Sequence, residues 1–227
     1  MLSVLMPVYN EAATVRRAIQ EVLETDLGTE IELIVVNDGS TDRTPEILAS
    51  EPWPENVTVL HHDRNQGKGA AVRTALGHAR GTWSAIFDAD LEYDPADLGL
   101  LLPPLRDGRA NAVFGVRAFD GYTSHSFVYV MGNRLVTLTA NLLFNVYLKD
   151  LMSCHKAVRT QLLRELPLRE RGFGIEPEIT AGLLRRGERI FEVPVRYKAR
   201  GTEEGKKLNW VDGLRVLRTL IRCRLAR

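Results

Sequence analysis

Cysteine is scarce in this chain of 227 residues: only Cys154 and Cys223 occur, far apart. That excludes a disulfide framework or a zinc site of ordinary spacing and fits a reducing compartment. Net charge is nearly absent too, since 30 Lys and Arg against 29 Asp and Glu leave +1, which argues against a general nucleic-acid binder. No basic leader or small-residue cleavage site precedes the first apolar segment, so Leu2 onward reads as a strand rather than a signal peptide. Long hydrophobic runs are missing as well. The most apolar stretch, Leu135 to Leu148, is interrupted by Thr137, Thr139, Asn141 and Asn145 and is shorter than the roughly 20 residues a transmembrane helix needs. Repeats, low-complexity tracts and a linker long enough to separate a second domain are also lacking.

What the sequence does contain is alternation. Leu2 to Pro7, Glu32 to Asn37, Val57 to His61, Ser84 to Phe87 and Ala112 to Val116 are short runs rich in Val, Ile, Leu or Phe and read as strands. Glu11 to Glu24, Thr44 to Ser50, Lys68 to Ala79 and Pro95 to Leu105 lie between them and read as helices. This is the pattern of an α/β fold with a mostly parallel central sheet flanked by helices. A polar loop, Phe119 to Ser126, then leads to a long helix, Val130 to Tyr147. A helix at Glu178 to Arg186, a strand at Ile190 to Tyr197, a Gly-rich charged loop at Ala199 to Lys207 and a final helix from Trp210 complete the chain.

Acidic side chains gather where strands end, which is where ligands bind in open α/β sheets. Asp38 ends one strand. Asp88, Asp90 and Glu92 follow another at alternate positions, an arrangement that suits one hard divalent cation bridging phosphate oxygens. The segment Gly67-Lys68-Gly69 is neither a dinucleotide fingerprint nor a Walker A loop, because the required glycine spacing is missing. Lys68 reads either as a phosphate contact at a helix start or as an ordinary first-turn residue. His61, His62 and His78 show no partner pattern and read as surface residues.

Pro7-Val8-Tyr9-Asn10-Glu11, Val35-Val36-Asn37-Asp38-Gly39-Ser40-Thr41-Asp42, Asn65-Gln66-Gly67-Lys68-Gly69 and Asp88-Ala89-Asp90 occur in an order that resembles the inverting family-2 glycosyltransferases of GT-A fold. Gly115-Val116-Arg117, Gly132-Asn133-Arg134, Phe173-Gly174-Ile175-Glu176-Pro177-Glu178 and Arg200 through Gly205-Lys206-Lys207 resemble the dolichyl- or polyprenyl-phosphate mannosyltransferase branch. The resemblance implies one nucleotide-sugar-binding domain over residues 1–207 and a C-terminal basic amphipathic helix over 208–227. It places Pro7, Tyr9, Glu11, Val36 and Asp38 in a nucleoside pocket. Asp88, Ala89 and Asp90 fall in the sugar-diphosphate motif, with Asp90, Glu92 and Asp88 around Mg2+ or Mn2+. Arg117, Arg200 and Lys206 become cationic contacts to the donor and acceptor phosphates, and Asp90 and Arg117 the catalytic pair. The branch's acceptor-side motif departs here to Asp150-Leu151-Met152-Ser153-Cys154-His155-Lys156, and His125 is the nearest basic residue before the Gly-Asn pair.

The expected reaction is metal-dependent transfer of a hexose, mannose from GDP-mannose, to a polyprenyl phosphate, with inversion at the anomeric carbon. The alternative is a related transferase using a UDP-sugar or a soluble hydroxyl acceptor, which needs a base such as Glu176 or Asp150. Glu176 otherwise steers the acceptor or caps the helix after it. Seven Lys and Arg and a single acid, Asp212, fall between Lys206 and Arg227, and Trp210, Leu214, Leu217 and Ile221 share a helical face there. That segment either packs on the domain or meets a membrane surface. The second option implies a peripheral protein on the cytoplasmic face of the membrane, with room for a separate membrane partner and no nucleic acid.

Overall fold

The computed structural model describes residues 1–117, 127–198 and 210–225. Among these, seven strands form one sheet: β1 (Leu2–Val8), β2 (Ile31–Asn37), β3 (Val57–His61), β4 (Trp83–Ile86), β5 (Ala112–Arg117), β6 (Lys156–Arg159) and β7 (Ile190–Val195), in the order β3-β2-β1-β4-β6-β5-β7. The helices are α1 (Val15–Glu24), α2 (Thr44–Ser50), α3 (Lys68–His78), α4 (Ala96–Arg106), α5 (Phe127–Phe144), α6 (Thr160–Glu165), α7 (Ile175–Arg185) and α8 (Trp210–Leu225). β1 and β2 are mainly apolar and buried along almost their whole length because both sheet faces are covered, and the polar Ser3 and Glu32 within them are hydrogen-bonded to each other at 2.6 Å. Alternate side chains feed two cores: Val4 and Met6 pack with Val15, Ile19 and Leu98 on one side, and Leu5 packs with Val72, Ala75 and Ile179 on the other. In α1 the buried residues Val15, Ala18, Ile19 and Val22 recur at helical spacing, which gives one face to the sheet.

The expected α/β class and mostly parallel sheet hold, with one addition. β6 runs antiparallel between β4 and β5, while the β1–β2, β1–β4, β2–β3 and β5–β7 pairs are parallel. Neither β6 nor α6 is visible as a pattern in the sequence. β6 is four residues with Lys156 and Arg159 at its ends, and Lys156 is nonetheless buried. Its Nζ lies 3.7 Å from the Phe114 ring centroid and donates to the Leu151 carbonyl at 3.0 Å. Burial pushes its pKa down to about 8, against the pull of the Glu176 and Asp150 carboxylates.

The last helix is part of the molecule's packing. Val216 and Leu220 of α8 share a third core cluster with Val136 and Ala140 of α5 and Ala181 of α7. Thr219 Oγ1 donates to Glu170, and Arg222 pairs with Glu170 at 2.8 Å and with Glu178 at 2.7 Å. Leu214 and Ile221, on the apolar face expected from the sequence, stay outside this contact and are exposed. No helix among the described residues is long and apolar enough to cross a membrane.

Candidate functional site

Because β1, β2, β4, β5 and β7 are mutually parallel, their C-terminal ends reach one edge of the sheet, and β1 and β4 flank the point where strand order reverses. Pro7 and Val36 face each other across β1 and β2 just before that edge, with Val36 fully buried. Tyr9 and Glu11 follow β1. The Glu11 carboxylate accepts from Thr14 Oγ1 at 2.8 Å and its N–H donates to Thr44 Oγ1, which joins the β1 turn to α2.

Asp38 is held below the surface at the end of β2. Its side chain is buried, and Oδ1 accepts the Gln66 N–H at 2.9 Å and sits 2.7 Å from His62 Nδ1, while Oδ2 accepts the Gly67 N–H at 2.7 Å. The other ring nitrogen of His62 reaches Thr74 Oγ1, so this histidine is a buried connector and not the surface residue its sequence context suggests. Gly67 has φ +95°, and a Cβ there would run into the Arg171 carbonyl. Only glycine lets the loop from 62 to 67 pass between Asp38 and residues 170–172.

That loop delivers Lys68 to the site. Its Nζ bridges Asp88 Oδ2 at 2.7 Å and Glu176 Oε1 at 2.6 Å. Burial works to lower the Lys68 pKa, but the two carboxylates outweigh it and hold the ammonium charged well above the ordinary lysine range. Glu176, at the start of α7, is therefore an ion-pair partner with one carboxylate oxygen buried and without a hydrogen-bond partner.

Beyond Asp88, Ala89 is buried and Leu91 adopts φ +58°, a left-handed conformation that turns the chain sharply between Asp90 and Glu92. Asp90 Oδ1 accepts the Glu92 N–H at 3.1 Å, and Glu92 Oε2 accepts the Tyr197 hydroxyl at 2.9 Å. The Lys198 N–H donates to the Glu92 carbonyl, so the segment after β7 braces the acidic turn. Sequence reasoning misses Tyr197, whose only signal is its place just past β7. No three His, Cys, Asp or Glu side chains among the described residues form a ready metal cage. The donor set still suits Mg2+ or Mn2+, which take one or two carboxylates and draw their remaining ligands from substrate phosphates and water.

Arg117, at the end of β5, is held by Asp150 and Tyr197. Its guanidinium makes a two-point contact with Asp150, Nε to Oδ2 at 2.7 Å and Nη2 to Oδ1 at 2.9 Å, and lies 5.1 Å from the Tyr197 ring centroid. Asn133 of α5 donates to the same Asp150 at 3.0 Å. Burial alone would raise the Asp150 pKa, yet Arg117 and Asn133 hold it below the usual carboxylate range. Below it, burial between the rings of Phe87 and Tyr93 pushes His155 down to about 3, so that imidazole is neutral. Arg200, Lys206 and His125 lie outside the described residues.

The family model for Glycosyl transferase family 2 matches residues 3–166. The chain belongs to that family. The glycosyltransferase is 29% identical to Glycosyltransferase AglJ of Haloferax volcanii over 199 residues, which is 87% of this chain but 63% of AglJ. It is 35% identical to the dolichyl-phosphate beta-glucosyltransferase ALG5D of Trichomonas vaginalis over 109 residues, 44% of this chain and 33% of that protein. In fold it superposes on glucosyl-3-phosphoglycerate synthase from Mycobacterium tuberculosis with a TM-score of 0.78 at 22% identity, covering all of this chain and 79% of that one. That synthase was crystallised with Mn2+, UDP and phosphoglyceric acid. The family 2 assignment and this likeness establish the GT-A fold expected from the motifs.

Proposed function

We propose that this glycosyltransferase moves a hexose from a nucleoside diphosphate sugar to a polyprenyl phosphate at a membrane surface. The observation that carries the lipid acceptor is α5. Phe127, Met131, Leu135, Leu138 and Leu142 recur at intervals of three or four residues and are all exposed, as is Tyr147 just after the helix. Asn133 on this helix is bound to the Arg117–Asp150 pair, so the apolar stripe is anchored beside the reaction edge of the sheet. Leu214, Ile221 and Leu225 of α8 add exposed apolar side chains next to Arg215, Arg218 and Arg224, a charge pattern that complements an anionic bilayer. The name of ALG5D, a dolichyl-phosphate enzyme, supports the same acceptor class.

Phosphate needs no strong base. A phosphate monoester is largely dianionic near neutral pH, its second pKa being about 6, so its oxygen attacks the anomeric carbon directly. The bond from that carbon to the diphosphate breaks with its electron pair leaving on the nucleoside diphosphate, and the configuration inverts. A soluble hydroxyl acceptor requires a base, and the two carboxylates offered for it are committed elsewhere: Glu176 to Lys68 and Asp150 to Arg117. Asp90 and Glu92 would hold Mg2+ or Mn2+, which supplies neutralisation of the departing diphosphate. Asp38 acts on the donor through the Gln66–Gly67 loop, Pro7, Tyr9 and Glu11 frame the nucleoside with Val36 buried behind them, and Asp88 faces the sugar diphosphate with Ala89 buried beneath the turn. Arg117, with Arg200 and Lys206, aligns the two phosphates.

The motifs after Val116 favour GDP-mannose as donor and a position on the cytoplasmic face of the membrane. A panel of GDP- and UDP-hexoses incubated with a polyprenyl phosphate, with 3-phosphoglycerate as a parallel acceptor, decides by mass of the product. A mannosyl phospholipid is the expected product. A glucosyl phospholipid corrects the donor, and transfer to phosphoglycerate alone overturns the lipid acceptor.

A further inference from the structure

Tyr197 is a single side chain set against both halves of the reaction edge. It follows β7, the outermost strand, yet its hydroxyl crosses the ends of β5 and β6 to the turn after β4, where it donates to Glu92 Oε2 at 2.9 Å. The same ring lies against the Arg117 guanidinium, 5.1 Å from its centroid. Neighbours on each side hold the ring and its backbone. The buried Tyr93 packs on it at 5.1 Å with the planes tilted by 56°, and the two tyrosines form an antiparallel bridge. The Lys198 N–H donates to the Glu92 carbonyl at 2.8 Å, and the buried Asp97 of α4 binds both the Arg196 N–H and its guanidinium. A tyrosine has only two side-chain torsions, so contacts made at its ring and at its hydroxyl set the distance between the partners. That distance matters here. In the reaction proposed above Glu92 serves the departing diphosphate and Arg117 the incoming phosphate, two anions that repel each other and must still bring the reacting atoms to about 3–3.5 Å.

We infer that Tyr197 is a positioning residue that fixes the donor turn relative to the acceptor-side arginine, its hydroxyl acting on Glu92 and its ring on Arg117. The inference rests on the reaction proposed above and deepens it. The two functions of the side chain are separable, because Tyr197→Phe removes the hydroxyl and keeps the ring, whereas Tyr197→Leu removes both.

The test takes two readings on the full chain for the parent and both variants. One is Mn2+ affinity without nucleotide or acceptor, from the loss of the free-ion signal in electron paramagnetic resonance. The other is the KM for polyprenyl phosphate at saturating donor and Mn2+. Tyr197→Phe is expected to weaken Mn2+ by roughly tenfold, the lower end of what supporting residues around a metal site control, and to leave the acceptor KM within about twofold of the parent. Tyr197→Leu is expected to weaken Mn2+ equally and also to raise the acceptor KM by roughly fivefold, the scale of one cation–π contact. Parent Mn2+ affinity in Tyr197→Phe overturns the inference, as does an acceptor KM that rises equally in both variants or in neither, since a merely structural tyrosine would not split the two readings. Should Tyr197→Leu fail to fold, the nearly isosteric Tyr197→Phe decides alone, because it must move the first reading and spare the second. A parent that binds no Mn2+, or that transfers to no polyprenyl phosphate, overturns the proposed reaction itself, whereas a normally active parent with an unshifted Tyr197→Phe overturns only the role of Tyr197.

Discussion

The two ends of the sheet handle charge in different ways. At the donor end, β1, β2 and β4 bring carboxylates that hold loops in place: Asp38 fixes residues 66 and 67, and Asp88 pairs with Lys68. At the other end, β5 and the segment around Asp150 lock one arginine to one aspartate and turn an apolar stripe outward on α5. The first region is organised around fixed polar contacts that suit a small, highly charged ligand. The second joins a single buried ion pair to an uncovered hydrophobic surface, which suits a ligand with a phosphate head and a hydrocarbon tail. On the proposed reading, preorganised dipoles would serve the departing diphosphate, whereas a long acceptor chain would be held by surface area rather than by hydrogen bonds.

Removing Asp150 should break the second region most severely. Asp150→Ala leaves Arg117 buried without its carboxylate and frees Asn133, so the protein should lose about 3–5 kcal/mol of stability, the cost of breaking a buried pair by removing one partner. Denaturant unfolding reads it. A loss below about 1 kcal/mol would show that Arg117 finds solvent or another partner, and that α5 is not anchored through this contact.

Asp90→Asn addresses the first region. With one anionic ligand gone from a site that has few, turnover should fall by roughly 10²-fold or more, the scale of one preorganised electrostatic contact. The release of nucleoside diphosphate from the donor measures it, and full activity of the parent in excess chelator would remove the metal from the mechanism. Asp38→Ala acts through the loop instead. It strands the Gln66 and Gly67 N–H groups and His62, so stability should fall by about 1–3 kcal/mol per group left unsatisfied, with donor affinity falling in step. Calorimetry that finds weakened nucleotide binding at unchanged stability would return Asp38 to direct contact with the nucleoside.

Much of the first region is legible in the sequence. β1 to β5 and α1 to α4 emerge within a few residues of their observed bounds because each is a periodic apolar run between turn residues. The acidic turn after β4 is located by its position after such a run. Side-chain partners are not legible, since His62, Lys68 and Tyr197 owe their roles to residues from 12 to 108 positions away. β6 escapes because a four-residue strand has no period to read, and its buried Lys156 is a surface residue by composition. The exposed stripe of α5 escapes for the opposite reason. Apolar spacing at three and four residues reads as core, and only the packing of Val136 and Ala140 shows which face is already covered.

The smallest expected effect concerns the membrane face, and the packing of α8 determines how to probe it. Deleting residues 214–227 would remove Val216, Thr219 and Leu220 from a shared core together with the Arg222 pairs, so a loss of activity would report damage to the fold. Substitutions on the outer faces avoid this. Arg218 is exposed on α8, and a Lys or Arg near an anionic surface contributes about 1 kcal/mol, so Arg218→Gln should weaken binding to phosphatidylserine vesicles by roughly fivefold. Leu138→Ser with Leu142→Ser on α5 should weaken it further in the same direction. The charge effect should fade as salt rises, because screening acts over about 8 Å at physiological ionic strength, while the α5 effect should persist. Transfer to a short, water-soluble polyprenyl phosphate analogue should be unchanged in both proteins. Equal losses on long and short acceptors would mean that these faces meet protein rather than lipid, and the contrast between the two ends of the sheet would then be one of assembly and not of substrate.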